Sequence, residues 1–514
     1  MIQQRKFTDR KPKENKFTEF EPPLSLRGKV ENLFQTSGPT IFQVFDGEQL
    51  VELAGFSGAG IRAYPEINPG DFVKISYMVL EHNGRKRPEI TSMIKIEGAE
   101  REDTEKFIRE KFLQKTAPVN TRFLIKSDAL EKMKPRFEEA ARRIREAIFT
   151  GRSIIIRHHA DTDGFVAGIA LERAILPLIS SEEEWKYYRR SVSRTPFYSI
   201  EDAIRDITHY IERKQKGEQR TPLLILLDNG STEEDVVGIR KARIYGFDII
   251  VLDHHNPGDA NVDEYVDVHI NPHLFGSDRN LTAGMISTEL ARFVNMVENV
   301  TFLPALAGAG DYARGMEMDQ YMSIAEKQGL SLEELKKISL CIDYEAYYLG
   351  YIEGKGLIDD LLMQDMERHK SMIELLYSEI QSRLKTALEI VDTYKKQENL
   401  NGMNLVQLDL ENSIMRREYP NIGKVTGLLF EKYLKESPNT VVLGITDDLC
   451  VIRASETSGF SLQDFMKRIS GRIMGFSGGG HENAGTIKYI KAVKSQLIKE
   501  LKDYVSELGR DGVK

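Results

Sequence analysis

The spacing of apolar positions changes several times along the chain, and each change marks a boundary. Residues 1–20 set Arg5, Lys6, Arg10, Lys11, Lys13 and Lys16 against Asp9, Glu14 and Glu19, a net of 6 − 3 = +3 with few apolar positions. That pattern predicts a flexible tail. Over 21–100 short β-branched and aromatic runs alternate with Gly, Asp or Asn, as in Leu26–Leu33, Thr40–Phe45, Leu50–Phe56, Phe72–Leu80 and Glu89–Ile96. Short strands so closely spaced predict a small β-barrel. Val73, Ile75, Tyr77 and Val79 alternate with Lys74, Ser76 and Met78, the signature of a strand with one buried face. Across 101–150 apolar residues such as Phe107, Leu130, Phe137 and Ile144 recur at helical spacing, which predicts a helical connector.

Over 151–325 the aliphatic runs Ile154–Ile156, Leu223–Leu227 and Ile249–Leu252 alternate with helical stretches at 166–178, 200–214 and 233–245. Such alternation predicts an α/β domain with a parallel sheet, whose ligands gather at the carboxyl ends of the strands. The region 326–400 is helical again, and 357–391 reads as one long or kinked linking helix. Strand-like runs return over 401–514 (Met403–Leu408, Thr440–Ile445, Leu449–Ala454), followed by a glycine-rich turn and a final amphipathic helix. This is a smaller α/β or α+β domain.

Composition narrows the class. At 514 residues the chain is long enough for about three domains. Its 71 Lys and Arg against 79 Asp and Glu give 71 − 79 = −8, which argues against a histone-like or otherwise indiscriminate polyanion binder, and with 41% hydrophobic residues the composition carries no disordered signature. Two cysteines without a Cys-x-x-Cys pair argue against a disulfide framework or a structural zinc site. The N-terminal stretch has no apolar core, and no aliphatic run is long enough to span a bilayer. The expectation is a cytoplasmic protein with no membrane contact.

Seven of the ten histidines fall between His158 and His273. Three predicted strands end in Arg157-His158-His159-Ala160-Asp161-Thr162-Asp163-Gly164, Asp228-Asn229-Gly230-Ser231 and Asp253-His254-His255-Asn256, and a small-residue segment ends at Asp311. A single strand-end Asp is ordinarily a helix N-cap, and a single buried His an ordinary core residue. Four such turns in succession are harder to assign to structure alone. If Asp161, Asp163, Asp228 and Asp311 converge, their charge of about −4 needs compensation. Two divalent cations would supply it, and mixed carboxylate and imidazole donors favour Mn²⁺, with Mg²⁺ as the alternative. A dinuclear hydrolase follows.

The residues His159-Ala-Asp161-Thr-Asp163-Gly164, Asp228-Asn-Gly230, Asp253-His254-His255 and Asp311 closely resemble the metal-site motifs of the DHH phosphoesterase superfamily. Gly478-Gly479-Gly480-His481, followed by Ala484-Gly485, resembles the signature of the DHH-associated C-terminal domain, and Arg453-Ala-Ser455 looks like that domain's Arg-Ser element. With a barrel similar to an OB-fold, the whole looks like an archaeal RecJ-like single-strand exonuclease. The resemblance implies that His159 and Asp161 hold one metal, that Asp163, His254 and Asp311 hold the other, and that Asp228 bridges them. It implies that His255 contacts the scissile phosphate, that Asp253 orients the histidine pair, and that Arg453, Ser455, Gly478, Gly479, Gly480 and His481 bind substrate. Three successive glycines also let backbone N–H groups approach a phosphate closely. Ala167 and the extra His158 depart from many relatives without removing a proposed ligand.

The expected activity is release of mononucleotides from single-stranded DNA or RNA, as in DNA repair, by two metals. A helicase or a replication or repair protein is a partner by resemblance only. The alternatives are a phosphodiesterase for short oligonucleotides or cyclic dinucleotides, and a non-catalytic helicase-associated subunit. In the barrel, Phe42, Phe45, Phe56, Tyr64 and Tyr77 are either base-stacking residues or core. Arg85-Lys86-Arg87, beside Asn83-Gly84, is either a phosphate contact or a solvated loop.

Overall fold

Alternating strands in the first hundred residues close on themselves. The computed structural model describes residues 23–58, 60–82, 85–179, 188–193, 195–215, 220–297, 299–363, 365–415 and 418–511. The tail expected at 1–20 and the Asn83-Gly84 turn lie outside the described residues. The chain divides into two units, Met1–Lys115 and Thr116–Lys514. In the first, β1 (Leu24–Gln35), β2 (Thr40–Phe45), β3 (Leu50–Gly55), β4 (Phe72–His82) and β5 (Arg85–Lys95) form a closed barrel in the order β1-β2-β3-β5-β4. The first half of β1 pairs with β4 and the second with β2. Gly28 permits this double pairing, because a Cβ there would sit 2.6 Å from the Phe45 carbonyl oxygen.

The barrel interior holds Val30, Phe42, Val44, Leu53, Val73 and Ile75. Of the aromatics, Phe42 and Phe45 are buried and Phe56 is exposed, with the Arg87 guanidinium 5.1 Å from its ring centre. Arg87 also pairs with Glu89. The alternation along β4 ends at a bulge between Ser76 and Tyr77, beyond which Val79 turns outward.

The stretch expected as a helical connector is two helices. The first, α1 (Gly98–Thr116), belongs to the barrel unit and packs Phe112 edge-on against Phe45. The second, α2 (Asp128–Phe149), is N-capped by Ser127 and buries Leu130, Met133, Phe137 and Ile144 in the core of the second unit.

In that unit β6 (Ile154–His159), β7 (Tyr188–Ser193), β8 (Leu223–Leu227), β9 (Asp248–Leu252) and β10 (Val268–Ile270) form an all-parallel sheet in the order β10-β9-β8-β6-β7. The accompanying helices are α3 (Thr162–Ile175), α4 (Ile200–Gln215), α5 (Glu233–Ile244), α6 (Ala283–Val294), α7 (Leu303–Gly310) and α8 (Met316–Glu326). Successive strand residues face opposite sides. Ile154, Ile156, Ile225 and Leu227 pack with α2, α3 and α6, while Ile155, Leu224 and Leu226 pack with α4 and α5. The direction in which strands are added to the sheet reverses between β6 and β8, and α/β sheets bind ligands in the crevice at such a reversal.

Next come α9 (Leu332–Leu349), α10 (Leu357–Leu361) and the 28-residue α11 (Met366–Thr393). The break before α11 is set by Met363 at φ +64° and by Asp365, whose carboxylate caps the new helix at the N–H groups of Glu367 and Arg368. A second sheet follows, of β11 (Lys396–Leu400), β12 (Met403–Asp409), β13 (Thr440–Ile445), β14 (Leu449–Ala454), β15 (Phe476–His481) and β16 (Ala484–Tyr489), in the order β11-β12-β13-β14-β16-β15. Only the β12–β13 pair is parallel. Its helices are α12 (Leu410–Ser413), α13 (Ile422–Leu434), α14 (Leu462–Ile469) and α15 (Lys494–Asp511).

The glycines expected in a turn are instead the edge strand β15. A Cβ on Gly478 would lie 2.8 Å from Thr486 O, and one on Gly480 2.6 Å from Ala484 O, so only bare backbone fits this close hairpin. Both cysteines, Cys341 in α9 and Cys450 in β14, are buried and unbridged, and burial pushes each thiol up to about 12. Among the described residues no helix is long and apolar enough to cross a membrane.

Candidate metal centre

Each parallel strand near the sheet's crevice delivers its acidic or imidazole group as the chain leaves the sheet. His159 is the last residue of β6, and Asp161 caps α3 by accepting the Gly164 N–H at 3.0 Å. Asp163, in the first turn of α3, is fully buried and accepts the N–H groups of Ala283 and Gly284 at the start of α6, both at 2.9 Å. Asp228 follows β8 at φ +56°, a left-handed conformation that Asp tolerates better than most residues. Asp253 follows β9, and its Oδ1 accepts the backbone N–H groups of His254 (2.8 Å) and His255 (3.2 Å) and the His255 Nδ1–H (2.7 Å). Asp311 caps the C-terminus of α7.

These side chains converge. His159 Nδ1 is 2.8 Å from Asp161 Oδ2 and 3.3 Å from Asp228 Oδ2. His254 Nε2 is 3.3 Å from Asp228 Oδ1, 3.2 Å from Asp311 Oδ2 and 3.8 Å from Asp163 Oδ2. The donor atoms fall into overlapping groups, His159–Asp161–Asp228, Asp163–His254–Asp311 and Asp228–His254–His255, each within 4.8 Å. Asp228 is shared by two of the three. His254 Nδ1 donates to the Arg279 carbonyl at 2.8 Å, which turns Nε2 toward the carboxylates.

The electrostatics call for positive charge at this point. Burial, together with the Asp228 and Asp311 carboxylates, pushes Asp163 well above the usual carboxylate range, and burial lifts Asp311 to about 6. Burial opposes charge on His159 and His254, yet Asp161 and Asp228 beside the first, and Asp228 and Asp311 beside the second, raise both imidazoles well above 6.5. Asp228 Oδ2 is fully buried and accepts no hydrogen bond, since His159 lies near it outside bonding geometry. An orphaned carboxylate oxygen amid converging oxygen and nitrogen donors fits divalent cations.

The cluster opens into a cavity of about 1890 Å³, lined by Asp161, Asp311, Arg279 and Tyr312 on one side and by Lys424, Arg453 and Ser455 on the other. Arg453 has its own Ile452 carbonyl as its hydrogen-bond partner, at 2.9 Å, and burial lowers its pKa. Ser455 lines the wall while its Oγ accepts the Thr440 N–H at 3.1 Å. Gly478, Gly479 and Gly480 do not line this cavity, whereas Ser477 and Asn483 on either side of them do. The His481 side chain lies outside the described residues.

Arg279, Asn271, Asp343 and Lys424 escaped the motif reading. The Arg279 carbonyl aims His254. Asn271 donates to the His255 carbonyl at 2.9 Å and steadies the histidine turn. Asp343 on α9 accepts the Thr162 N–H and Oγ1–H at 3.2 and 2.8 Å, and its other oxygen lies 3.5 Å from Lys424 Nζ. These residues come from distant segments with no pattern of their own, so nothing in the sequence marks them.

Comparison with known proteins agrees with this architecture. The model of the DHH family, N-terminal domain, matches residues 153–307, which end just before Asp311. A solved DHH domain, described as a member of a family of ribosomal proteins, is 36% identical, covers 80% of this chain and 99% of its own, and superposes with a TM-score of 0.76. The chain belongs to the DHH family. An uncharacterized protein of Methanocaldococcus jannaschii is 38% identical over 92% of this DHH protein and 67% of its own length. The fold is RecJ-like. RecJ of Thermus thermophilus in complex with Mn²⁺ superposes with a TM-score of 0.54 at 16% identity, over 79% of this chain and 59% of that one. A manganese-bound exonuclease RecJ does so with 0.51, also at 16% identity, over 75% of this chain and 96% of that one. The DHH family, this fold and the acidic–histidine cluster together support a metal-dependent phosphoesterase.

Proposed function

We propose that this DHH protein is an exonuclease that removes mononucleotides from single-stranded DNA or RNA. The observation that carries this reading is one cavity joining the Asp–His cluster to Arg453 across the cleft, with room for a nucleotide chain end. His159, Asp161 and Asp228 would hold one divalent cation, and Asp228, Asp163, His254 and Asp311 the other, with Mn²⁺ preferred over Mg²⁺. Bound there, such cations neutralise charge on the phosphoryl group and make water a better nucleophile at neutral pH.

The remaining work falls to the chain. The Nδ1–H of His255 is held by Asp253, whose carboxylate His255 keeps well below the usual range against the opposing effect of burial. The ring is thereby oriented to donate a hydrogen bond from Nε2 to a phosphoryl oxygen as its charge grows. Arg453 offers a permanent charge to the neighbouring phosphate, in a buried setting that strengthens the attraction. The glycine hairpin β15–β16 shapes the adjoining wall through Ser477 and Asn483.

The test is digestion of end-labelled DNA and RNA strands with Mn²⁺, with Mg²⁺ and with chelator. Stepwise release of mononucleotides from one end, abolished by chelator, is the expected result. Turnover confined to dinucleotides would overturn the reading in favour of a short-substrate phosphodiesterase.

A further inference from the structure

Tyr312 follows Asp311 and occupies an unusual place for a large side chain. Its φ is +56°, and the Ala313 N–H reaches back to the Gly308 carbonyl at 2.8 Å, closing α7 with a left-handed residue just past the helix. Glycine is the usual occupant of that position, because any Cβ is strained there. A bulky residue is normally kept in such a place by the packing of its side chain. Here the ring is only partly covered: it is 54% exposed, and among the described residues its hydroxyl makes no hydrogen bond and its ring no aromatic or cation–π contact.

Tyr347, another aromatic lining the main cavity, behaves differently, its ring set edge-on against Tyr348 and Tyr419 at 5.3 and 6.1 Å. Tyr312 lines both the main cavity and a smaller one of about 740 Å³ between α9, α11 and α13, so its ring stands where the two meet. Lys424 and Arg453 act on its hydroxyl together with the carboxylates of Glu431 and Asp343. The ring is thus an aromatic face next in the chain to a proposed metal ligand, lining the same cavity as Lys424 and Arg453.

We propose that Tyr312 is a specificity-determining residue, the platform on which the base of the nucleotide at the scissile phosphate stacks. The proposal rests on the nucleotide-hydrolysing reading above. Stacking on a single ring is sequence-tolerant, because every base has a π-face, and it separates nucleotides from inorganic polyphosphates, which have none.

The experiment uses the full chain with Tyr312→Gly, Tyr312→Asn and Tyr312→Phe. Glycine and asparagine both accept the left-handed backbone, so either keeps the test alive if the other folds poorly. Both should melt at or above the wild-type temperature while KM for a single-stranded oligonucleotide rises roughly tenfold with kcat little changed. The same variants should leave KM unaltered on an oligonucleotide whose terminal residue is abasic, and Tyr312→Phe should behave as wild type. An unchanged KM, or equal losses on abasic and base-bearing strands, would overturn the proposal. Calorimetric binding of a deoxynucleoside monophosphate and of deoxyribose 5-phosphate, each with Mn²⁺, keeps the two ideas apart. If the wild type digests no strand, the exonuclease reading fails, yet a preference for the nucleotide that vanishes in Tyr312→Gly sustains the stacking site. Absence of that preference in the wild type overturns it.

Discussion

Asp228 combines a left-handed backbone, full burial and a carboxylate oxygen without a hydrogen bond. Asparagine keeps the shape and suits the same backbone, so Asp228→Asn isolates the charge. Hydrolysis should fall by about a hundredfold or more, and the rise in melting temperature on adding Mn²⁺ should shrink. Activity assays and thermal melts with and without Mn²⁺ check both. Gly284 is a second sensitive point, where a Cβ would lie 2.6 Å from Ala307 Cβ and 2.8 Å from Asp163 Oδ1. Gly284→Ala should cost about 1–3 kcal/mol by overpacking, read in urea unfolding, and should also weaken metal binding through the displaced Asp163. The two residues differ in legibility. Asp228 announces itself by the strand before it and the Asn-Gly after it, whereas Gly284 matters only because α6 meets α3 and α7, a tertiary event with no local sign.

Among the elements, β6, β8 and β9 were readable because their aliphatic runs are buried on both faces. The neighbouring β7, Tyr188–Ser193, was not, because its polar residues are satisfied by tertiary partners: Arg190 pairs with Glu172 at 2.9 Å, and the Val192 carbonyl accepts from Arg157. Three-residue β10 is too short to carry a period. The glycine hairpin misleads in the other direction, since composition suggests a turn while the close approach of β16 demands bare backbone in a strand. Gly480, at φ +137°, should be the least replaceable member, and Gly480→Ala is expected to cost more than about 1 kcal/mol in chemical denaturation. The helical stretch at 101–150 was legible as helix but not in its allegiance, which depends on which core each face meets.

For the molecule as a whole, stability should depend on pH through Glu289 in α6. Burial pushes this carboxyl up to about 7, although it accepts the Leu124 N–H and the Tyr321 hydroxyl. Between the ordinary carboxyl value and 7 the folded chain keeps a proton that the unfolded chain has lost, so this contribution is full at low pH and fades as pH rises toward 7. Glu289→Gln should flatten that decline between the ordinary carboxyl value and pH 7 in urea titrations. The net charge of −8 also changes meaning at this scale, since four of the carboxylates meet at the proposed cation site and the cleft presents Arg279, Lys424 and Arg453 to a polyanion. The two cysteines carry a further consequence. Buried, and with their thiols pushed up to about 12, they resist alkylating reagents while the chain is folded. One cysteine introduced on α5 and another on α15 would therefore take fluorophores selectively. The energy transfer between the two dyes would report, in the otherwise unaltered chain, whether the cleft narrows when a strand enters it.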